Sequence, residues 1–348
     1  MTQINLRIKR PAIETYKIFI EKNLTKSLAD HLKQLNLGKK YAIITDSLVK
    51  TLFGNTIMKY LKHGGIHAEI IQFPKGEKSK FLSTVQFLGE EMVKKGFDKD
   101  DAIIALGGGV VGDIAGFLAS VYMRGIPYVQ IPTTLMAMVD SSIGGKTGVD
   151  MPSGKNLIGT IDQPDAVFMD INYLKNLPEK QIRNGLAEVI KYGVIKDKKL
   201  FRYLEKNIPA LLKGKLENLT YIIEKSVRIK TSVVAKDEKD EGKRIILNYG
   251  HTYGHALERL SGFKLLHGYA ISIGMVIVND IAVKKGLLKS RAAERIKNLL
   301  KSTGLPVTTM KKITLKDCIS DKKKEGNYIK LILPKKIGKV IVVKEKCL

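Results

Sequence analysis

Apolar runs alternate with helical stretches through the first half of the chain. Residues 48–61 and 80–95 repeat apolar residues at helical spacing, and glycine follows each of them. Four runs rich in β-branched residues predict buried strands, at 41–46, 67–73, 101–106 and 126–131. Strands that alternate with helices predict a parallel α/β sheet with right-handed crossovers.

The second half of the chain is predicted to be mainly helical. Helical periodicity covers six segments, at 181–195, 198–212, 216–236, 249–260, 269–285 and 291–302. Strand-like runs return only at 328–333 and 340–343. We therefore expect a Rossmann-like parallel α/β domain over residues 1–176 and a mainly α-helical domain over residues 177–348, joined near residues 174–178.

Composition narrows the class of protein. The chain has 348 residues, 44% of them hydrophobic, which is typical of a globular protein large enough to fold without disulfides or structural metals. It contains two cysteines, Cys318 and Cys347, so a disulfide scaffold is excluded and a cytoplasmic location is expected. The start lacks the apolar region of a signal peptide, and we expect no membrane partner.

The net charge is strongly positive, with 60 Lys and Arg residues against 34 Asp and Glu residues, a formal +26. Such a charge is compatible with a nucleic-acid partner. However, the lysines are spread along the whole chain, and it has no zinc finger, arginine tract or aromatic-glycine RNA motif. We therefore favour a solvated basic surface with a site for small anions, and expect no nucleic-acid partner.

A glycine-rich loop at 107–113 follows a predicted strand and opens a helix. Its G-x-G-x-x-G pattern, beginning at Gly107, would let backbone N–H groups approach a pyrophosphate at a helix N-terminus. No acidic residue lies about 20 residues on, where such motifs bind the ribose, so Asp46 is the candidate instead. Thr133 and Thr134 add hydroxyls after the next strand. The loop favours nucleotide binding over a tight turn without a ligand.

Two further segments, 140–147 and 153–156, are rich in glycines, hydroxyls and lysines. Lys146 and Lys155 supply charge-assisted donors, and Arg124 could join them. This density of donors suits a carboxylate or phosphate group, although a polar surface loop is the alternative.

Three of the six histidines, His251, His255 and His267, are close together in the sequence. His251 and His255 are four residues apart and would share one helical face. With a carboxylate such as Glu188, which lies on a polar stripe of a largely apolar helix, they would form a catalytic zinc site with an open position. The clustering favours a metal or catalytic site over ordinary surface or core histidines.

Six segments form a longer pattern when they are taken in order. They are G-G-G-V-V-G-D at 107–113, D-S-S-I-G-G-K at 140–146, S-G-K-N-L-I at 153–158, L-A-E-V-I-K at 186–191, N-Y-G-H-T-Y-G-H-A at 248–256 and H-G at 267–268. Together they resemble the 3-dehydroquinate synthase family of sugar-phosphate cyclases. The resemblance extends from about residue 41 to about residue 333.

This resemblance implies an activity and its cofactors. The family converts 3-deoxy-D-arabino-heptulosonate 7-phosphate into 3-dehydroquinate and phosphate, a step of the shikimate pathway to aromatic amino acids, with NAD and zinc or cobalt. A substrate hydroxyl is oxidised transiently, phosphate leaves by β-elimination, hydride returns, and an intramolecular aldol reaction closes the ring. The reaction is redox-neutral, so no NADH accumulates.

The resemblance also implies the site residues. It places the metal on Glu188, His251 and His267, in place of the pair chosen by spacing, and leaves His255 as an acid/base or phosphate-contacting residue. The implied NAD contacts are Asp46, Glu77, Lys80, Gly108, Gly109, Val110, Asp113, Thr133, Thr134, Lys146 and Lys155. The implied substrate contacts are Arg124, Lys146, Lys155, Asn156, Asn184, Lys191, Lys230, Arg244, Asn248, His255 and one of Lys322 or Lys323. The remaining catalytic candidates are Lys146, Lys191, Asp140, Lys230 and Asp240, and Asp240 stands where a glutamate is expected.

Other functions are compatible with parts of the sequence. A related cyclase would form a different carbocycle, and a metal-dependent polyol dehydrogenase would accumulate NADH. A basic nucleic-acid-binding protein would show salt-dependent binding and would leave the histidine cluster without a role. We expect a small anionic sugar phosphate as substrate and, from the resemblance, a homodimer.

Overall fold

A six-stranded parallel sheet forms the first half of the computed structural model, which describes residues 15–310, 313–318, 324–325 and 328–346. The strands and an inserted hairpin are β1 (Lys17–Glu21), β2 (Tyr41–Asp46), β3 (Ala68–Phe73), β4 (Ala102–Gly107), β5 (Tyr128–Pro132), the hairpin β6 (Lys146–Met151) and β7 (Gly154–Ile161), and β8 (Ala166–Asp170). The sheet order is β1-β8-β5-β4-β2-β3, and every neighbouring pair is parallel. The four predicted strands are thus confirmed as β2 to β5.

Helices cover both faces of this sheet. They are α1 (Leu28–Leu35), α2 (Ser47–Val49), α3 (Asn55–His63), α4 (Leu82–Lys94) and α5 (Gly109–Val121). Alternate strand residues enter two separate cores, with Ile43 and Ile104 in one and Ile44 and Ile103 in the other. Strands buried on both faces have largely apolar sequences, which is why β2, β4 and β5 could be predicted, whereas β3 is a partly buried edge strand.

The strand order creates a crevice at the carboxyl edge of the sheet. From β2 the chain continues outward to β3, whereas β4 lies on the other side of β2 and leads to β5. The loops after β2 and β4 therefore leave in opposite directions. Ligands of open α/β sheets bind at such a switch point.

The second half of the chain is mainly helical, as predicted. Its helices are α6 (Glu179–Ile195), α7 (Lys198–Leu212), α8 (Leu216–Val234), α9 (His251–Leu260), α10 (His267–Lys284) and α11 (Ser290–Ser302). A small antiparallel sheet follows, made of β9 (Lys324–Glu325), β10 (Tyr328–Lys336) and β11 (Lys339–Lys346). Among the described residues, no helix combines the length and the apolar character needed to cross a membrane.

Close packing of α9 against α10 determines how the histidines meet. A Cβ on Gly274 would lie 2.0 Å from the carbonyl oxygen of Gly250, and one on Gly254 would lie 2.5 Å from a side-chain carbon of Ile271. Because only glycine permits these contacts, the two helices approach backbone to backbone. The first residue of α10 is thereby held beside α9.

Candidate active site

Three potential metal ligands converge where α6, α9 and α10 meet. Glu188 comes from α6, His251 begins α9 and His267 begins α10. Glu188 Oε1 lies 3.5 Å from Nε2 of His251 and 3.5 Å from Nε2 of His267. One ligand atom from each residue lies within 4.8 Å of the other two. Two imidazoles and a carboxylate are the donor set of a catalytic zinc site with an open position.

The chemistry of these donors fits a divalent cation. Glu188 is fully buried, and its Oε1 accepts no hydrogen bond from the residues that the structure describes. The Nδ1 of His251 lies 3.1 Å from the carbonyl oxygen of Tyr249, and that of His267 lies 3.2 Å from Oε2 of Glu258. With protons on both Nδ1 atoms, both Nε2 lone pairs point toward the carboxylate of Glu188. Zinc and cobalt both suit this set.

Charge in this cluster is concentrated and buried. Burial disfavours the His267 imidazolium, but Glu258 and Glu188 outweigh it and raise the pKa of His267 to about 10. Burial would raise the pKa of the Glu188 carboxyl, but Lys191 and His267 hold that pKa below its usual value. Two carboxylates around two imidazoles provide the negative charge that a divalent cation requires.

His255 lies beside the trio but belongs to a different group of potential ligands. Its ring centroid is 5.3 Å from that of His251 and 6.0 Å from that of His267. Its ligand atoms group with those of Glu258 and His267, while Glu188 groups with His251 and His267. The i, i+4 spacing alone therefore did not select the pair that converges on Glu188.

Two lysines extend the cluster toward the sheet domain. Lys191, one turn after Glu188, pairs with that carboxylate and lies 3.7 Å from Oδ1 of Asp140. Nζ of Lys230 on α8 lies 2.9 Å from the same Oδ1. The hydroxyl of Tyr192 also donates a hydrogen bond to this oxygen of Asp140. Burial and the neighbouring Lys191 lower the pKa of Lys230 despite the opposing effect of Asp140. Asp140 therefore contacts two buried ammonium groups beside the potential metal ligands.

The carboxyl edge of the sheet collects the residues that the resemblance assigns to NAD. Asp46 ends β2 and accepts hydrogen bonds from the N–H groups of residues 48 and 49. Gly108 precedes α5, and Thr133 and Thr134 follow β5. A Cβ on Gly108 would lie 3.2 Å from Thr134 Cγ2, and one on Gly109 would lie 3.0 Å from Ser141 Oγ. A side chain at either glycine would therefore crowd the N-terminus of α5, which is the part of a helix that binds anions.

Lys80 lies at the centre of a buried polar group beside this edge. Its Nζ lies 2.5 Å from Asp113 Oδ2 on α5 and 2.5 Å from Asn156 Oδ1 on β7. Burial disfavours the ammonium group, but Asp113 and Glu77 outweigh it and raise the pKa of Lys80. Side chains from α5, from β7 and from the segment before α4 therefore meet next to the glycine loop. Val110 is half-buried in the first turn of α5.

The β6–β7 hairpin supplies lysines to both halves of the molecule. Lys155 Nζ lies 2.9 Å from Glu77 Oε1 and 3.3 Å from Glu258 Oε1. Lys146 forms an ion pair with Asp240, whose backbone has a positive φ of 61°. Asp240 thus lies against a predicted catalytic lysine, although its own role stays a prediction.

The other implied substrate contacts are less uniform. Arg244 is buried and donates to the carbonyl oxygens of Gly144 and Glu238, and Asn184 Oδ1 accepts a hydrogen bond from the N–H of residue 268. Asn248 ends the short 3₁₀ turn before α9. Arg124 is exposed beyond the far end of α5, which has thirteen residues and a rise of about 20 Å. Lys322 and Lys323 lie outside the described residues.

Comparison with known proteins identifies the family. A family model for the N-terminal domain of 3-dehydroquinate synthase matches residues 70–184, and one for its C-terminal domain matches residues 185–325. The 3-dehydroquinate synthase of Prochlorococcus marinus strain MIT 9312 is 45% identical over 336 residues, which cover 94% of this chain and 92% of the relative. The chain belongs to the 3-dehydroquinate synthase family. A second member, from Thermodesulfovibrio yellowstonii, is 44% identical over 331 residues, with coverage of 94% and 92%.

Solved structures agree with the 3-dehydroquinate synthase fold. A 2-epi-5-epi-valiolone synthase from Streptomyces hygroscopicus, bound to NAD+ and Zn2+, has a TM-score of 0.88 at 27% identity and covers 98% of this chain and 95% of its own. A 2-deoxy-scyllo-inosose synthase complexed with carbaglucose-6-phosphate, NAD+ and Co2+ has a TM-score of 0.86 at 26% identity, with coverage of 95% and 94%. The expected α/β and helical architecture is therefore confirmed.

Sequence reasoning assigned no role to two residues at this 3-dehydroquinate synthase-type site. Tyr192 donates to Asp140, and Glu258 contacts both His267 and Lys155. Glu258 could have been found from the sequence, because it lies seven residues after His251 and so shares its helical face. Tyr192 could not, because its partner Asp140 lies 52 residues away in the sequence.

Proposed function

We propose that this chain converts 3-deoxy-D-arabino-heptulosonate 7-phosphate into 3-dehydroquinate and phosphate, with NAD and one divalent metal ion. The observation that carries the proposal is the convergence of Glu188, His251 and His267, beside buried Lys191 and Lys230. Relatives that carry the name of this activity are 45% identical across nearly the whole chain. We also propose the lyase class, a cytoplasmic location, a homodimer and a domain boundary near residue 176.

Glu188, His251 and His267 would hold the metal. When bound, the metal would supply Lewis acidity toward a substrate oxygen, and NAD would supply a reversible hydride acceptor. The residues of the sheet edge would bind NAD, because Gly108 and Gly109 lie at the N-terminus of α5, which follows β4, and Asp46 ends the neighbouring strand β2. Lys155 would connect the two groups, because its Nζ contacts Glu77, an implied NAD contact, and Glu258, which contacts the proposed metal ligand His267.

Buried cations would bind the two anionic groups of the substrate. Lys191 and Lys230 are nearly inaccessible, and Asp140 holds both. Lys146, Lys155 and Arg244 add three more charges from the hairpin and the 3₁₀ turn. Charge-assisted donors of this kind recognise phosphate and carboxylate groups. Asn156, Asn184, Asn248 and His255 would contact the hydroxyls or the leaving phosphate, and Asp240 would keep Lys146 in place.

The decisive experiment measures inorganic phosphate and NADH in the same reaction. We expect the zinc-loaded protein to release one phosphate per heptulosonate phosphate consumed, without accumulation of NADH, and to form 3-dehydroquinate. Stoichiometric NADH would instead indicate a dehydrogenase. A Glu188→Ala variant serves as the inactive control.

A related cyclase activity is the second candidate. The two solved structures named above are of synthases named for other products, and they match this chain with TM-scores of 0.88 and 0.86. Product analysis separates the two. Phosphate release from a different sugar phosphate, with no turnover of the heptulosonate phosphate, would replace the proposed activity by this one.

A further inference from the structure

Glu258 is a buried carboxylate beside the three proposed metal ligands. It lies on α9, seven residues after His251 and three after His255, so the three side chains share one helical face. Only 3% of its surface is exposed. A buried carboxylate is unfavourable unless neighbouring groups compensate its charge. The groups that compensate its charge, His267 and Lys155, therefore indicate the role of Glu258.

The two oxygens of Glu258 have different partners. Oε2 lies 3.2 Å from Nδ1 of His267, and Oε1 lies 3.3 Å from Nζ of Lys155. Lys155 comes from the β6–β7 hairpin and also lies 4.9 Å from the centroid of the Phe263 ring. One carboxylate thus connects a proposed metal ligand to a lysine of the other half of the molecule.

The two histidines differ in what their Nδ1 atoms face. His251 faces the backbone carbonyl of Tyr249, whereas His267 faces the carboxylate of Glu258. An anionic acceptor fixes the Nδ1–H tautomer and makes Nε2 a stronger donor to a metal. A backbone carbonyl cannot be removed by substitution, but the Glu258 carboxylate can be.

We propose that Glu258 is a positioning residue that fixes the tautomer and ring orientation of His267 and, with its other oxygen, holds Lys155 toward the same site. Metal affinity and the placement of this lysine then depend on one side chain. The proposal rests on the metal site of the proposed function, but it does not depend on which substrate is used.

The first test compares zinc affinities by chelator competition on metal-free protein. Glu258→Gln keeps the size of the side chain and removes its charge, and we expect zinc affinity to fall roughly 10- to 100-fold, the range found when such carboxylates are changed. Glu258→Asp keeps the charge at a shorter reach and should lose less affinity. Exposed Glu224, changed to Gln, is the matched control and should bind zinc as the wild type does.

A second measurement separates positioning from general structural damage. In the zinc-bound wild type labelled with ¹⁵N-histidine, His267 should show a protonated Nδ1 protected from exchange, and Glu258→Gln should lose that protection. Circular dichroism should remain unchanged. If Glu258→Gln does not fold, Glu258→Asp is measured in the same way. Unchanged zinc affinity together with an unchanged Nδ1 signal would overturn the proposal.

Cobalt spectra test whether Glu258 is itself a ligand. We expect the cobalt forms of the wild type and Glu258→Gln to have the same coordination number. Loss of a ligand in the variant would overturn the positioning role and favour the alternative group of His255, Glu258 and His267. Wild-type protein that binds zinc but releases no phosphate would refute the proposed function alone, whereas failure to bind zinc would refute both.

Discussion

The two halves of the candidate site are built in different ways. At the sheet edge, the candidate NAD-binding site combines a glycine loop, where a side chain on Gly108 or Gly109 would meet its neighbours at 3.2 Å or less, with polar side chains such as Asp46. In the helical region, the candidate metal- and substrate-binding groups are charged side chains on helix interiors, such as Glu188 and Lys191, both almost fully buried. The glycine loop depends on the absence of two side chains, whereas the helical cluster depends on charges that compensate one another.

This difference shows where each half is vulnerable. A side chain on Gly108 or Gly109 would crowd Thr134 or Ser141, because its Cβ would lie 3.2 Å or 3.0 Å from them. Removing one member of a buried ion pair leaves its partner uncompensated, which is strongly unfavourable. Substitutions in the two halves should therefore affect different ligands.

The largest expected effect comes from the metal ligands. Glu188→Ala and His267→Ala should each reduce phosphate release to background and abolish zinc retention, because two donors cannot hold the ion as three do. Affinity for NAD should remain close to that of the wild type. The measurements are phosphate release, metal content after dialysis and NAD titration.

Exposed His63, changed to alanine, is the control for the histidine variant and should retain both zinc and activity. An active, zinc-replete Glu188→Ala or His267→Ala protein would contradict the ligand assignment.

An intermediate effect is expected at the glycine loop. Gly108→Val places a side chain where a Cβ already lies 3.2 Å from Thr134, and it should weaken NAD binding by about 1.4 kcal/mol or more, which is tenfold. Zinc retention should not change. Gly89→Ala, whose Cβ would meet only ordinary contacts at 3.8 Å, is the matched control. Equal NAD affinity in the two variants would refute the role of the glycine loop in NAD binding.

The smallest effect on activity is expected at Asp237, whose carboxylate organises a turn in the second half of the chain. Its carboxylate accepts hydrogen bonds from the N–H groups of Arg244, Glu241 and Gly242, and these lower its pKa. Since the folded pKa is depressed, the stabilisation is present above the unfolded value of about 3.9 and is lost as pH falls through the folded pKa.

Protection from amide exchange at residues 241, 242 and 244, measured relative to the intrinsic rate at each pH, should therefore fall at low pH in the wild type. Asp237→Asn should show the lower protection already at neutral pH, together with a modest rise in KM and unchanged zinc retention. Wild-type-like exchange in the variant would show that this carboxylate does not organise the turn.

Sequence alone predicted the sheet edge better than the helical cluster. Apolar strands and the glycine pattern at Gly107 give local signals, so β2 to β5 and the positions of Asp46, the glycine loop, Thr133 and Thr134 at the ends of strands could be predicted, while their role in NAD binding stays a prediction. The short strands β1 and β8 and the β6–β7 hairpin were not predicted. β1 pairs with β8, which follows it by about 150 residues, and β8 also pairs with β5. Pairing between such distant segments leaves no local pattern in the sequence.

The metal trio could not be derived from spacing. His251 and His255 have the local signature, but His267 approaches Glu188 only because Gly250, Gly254 and Gly274 let α9 and α10 pack closely. Family resemblance supplied what periodicity could not. Glu258 contacts Lys155 and His267, and Tyr192 contacts Asp140. These partners lie on other elements, so the contacts could be found only from the three-dimensional structure.

The hairpin of β6 and β7 carries Lys146, Lys155 and Asn156 on sixteen consecutive positions, and it lies outside the six-stranded sheet. Lys155 and Asn156 contact side chains of the sheet region, and Lys146 and Lys155 contact carboxylates that follow α8 or lie on α9. An exchange of this hairpin between related cyclases would transfer three proposed substrate contacts at once, while the sheet and the helices α6, α9 and α10 keep their own cores. We therefore expect such an exchange to alter substrate preference.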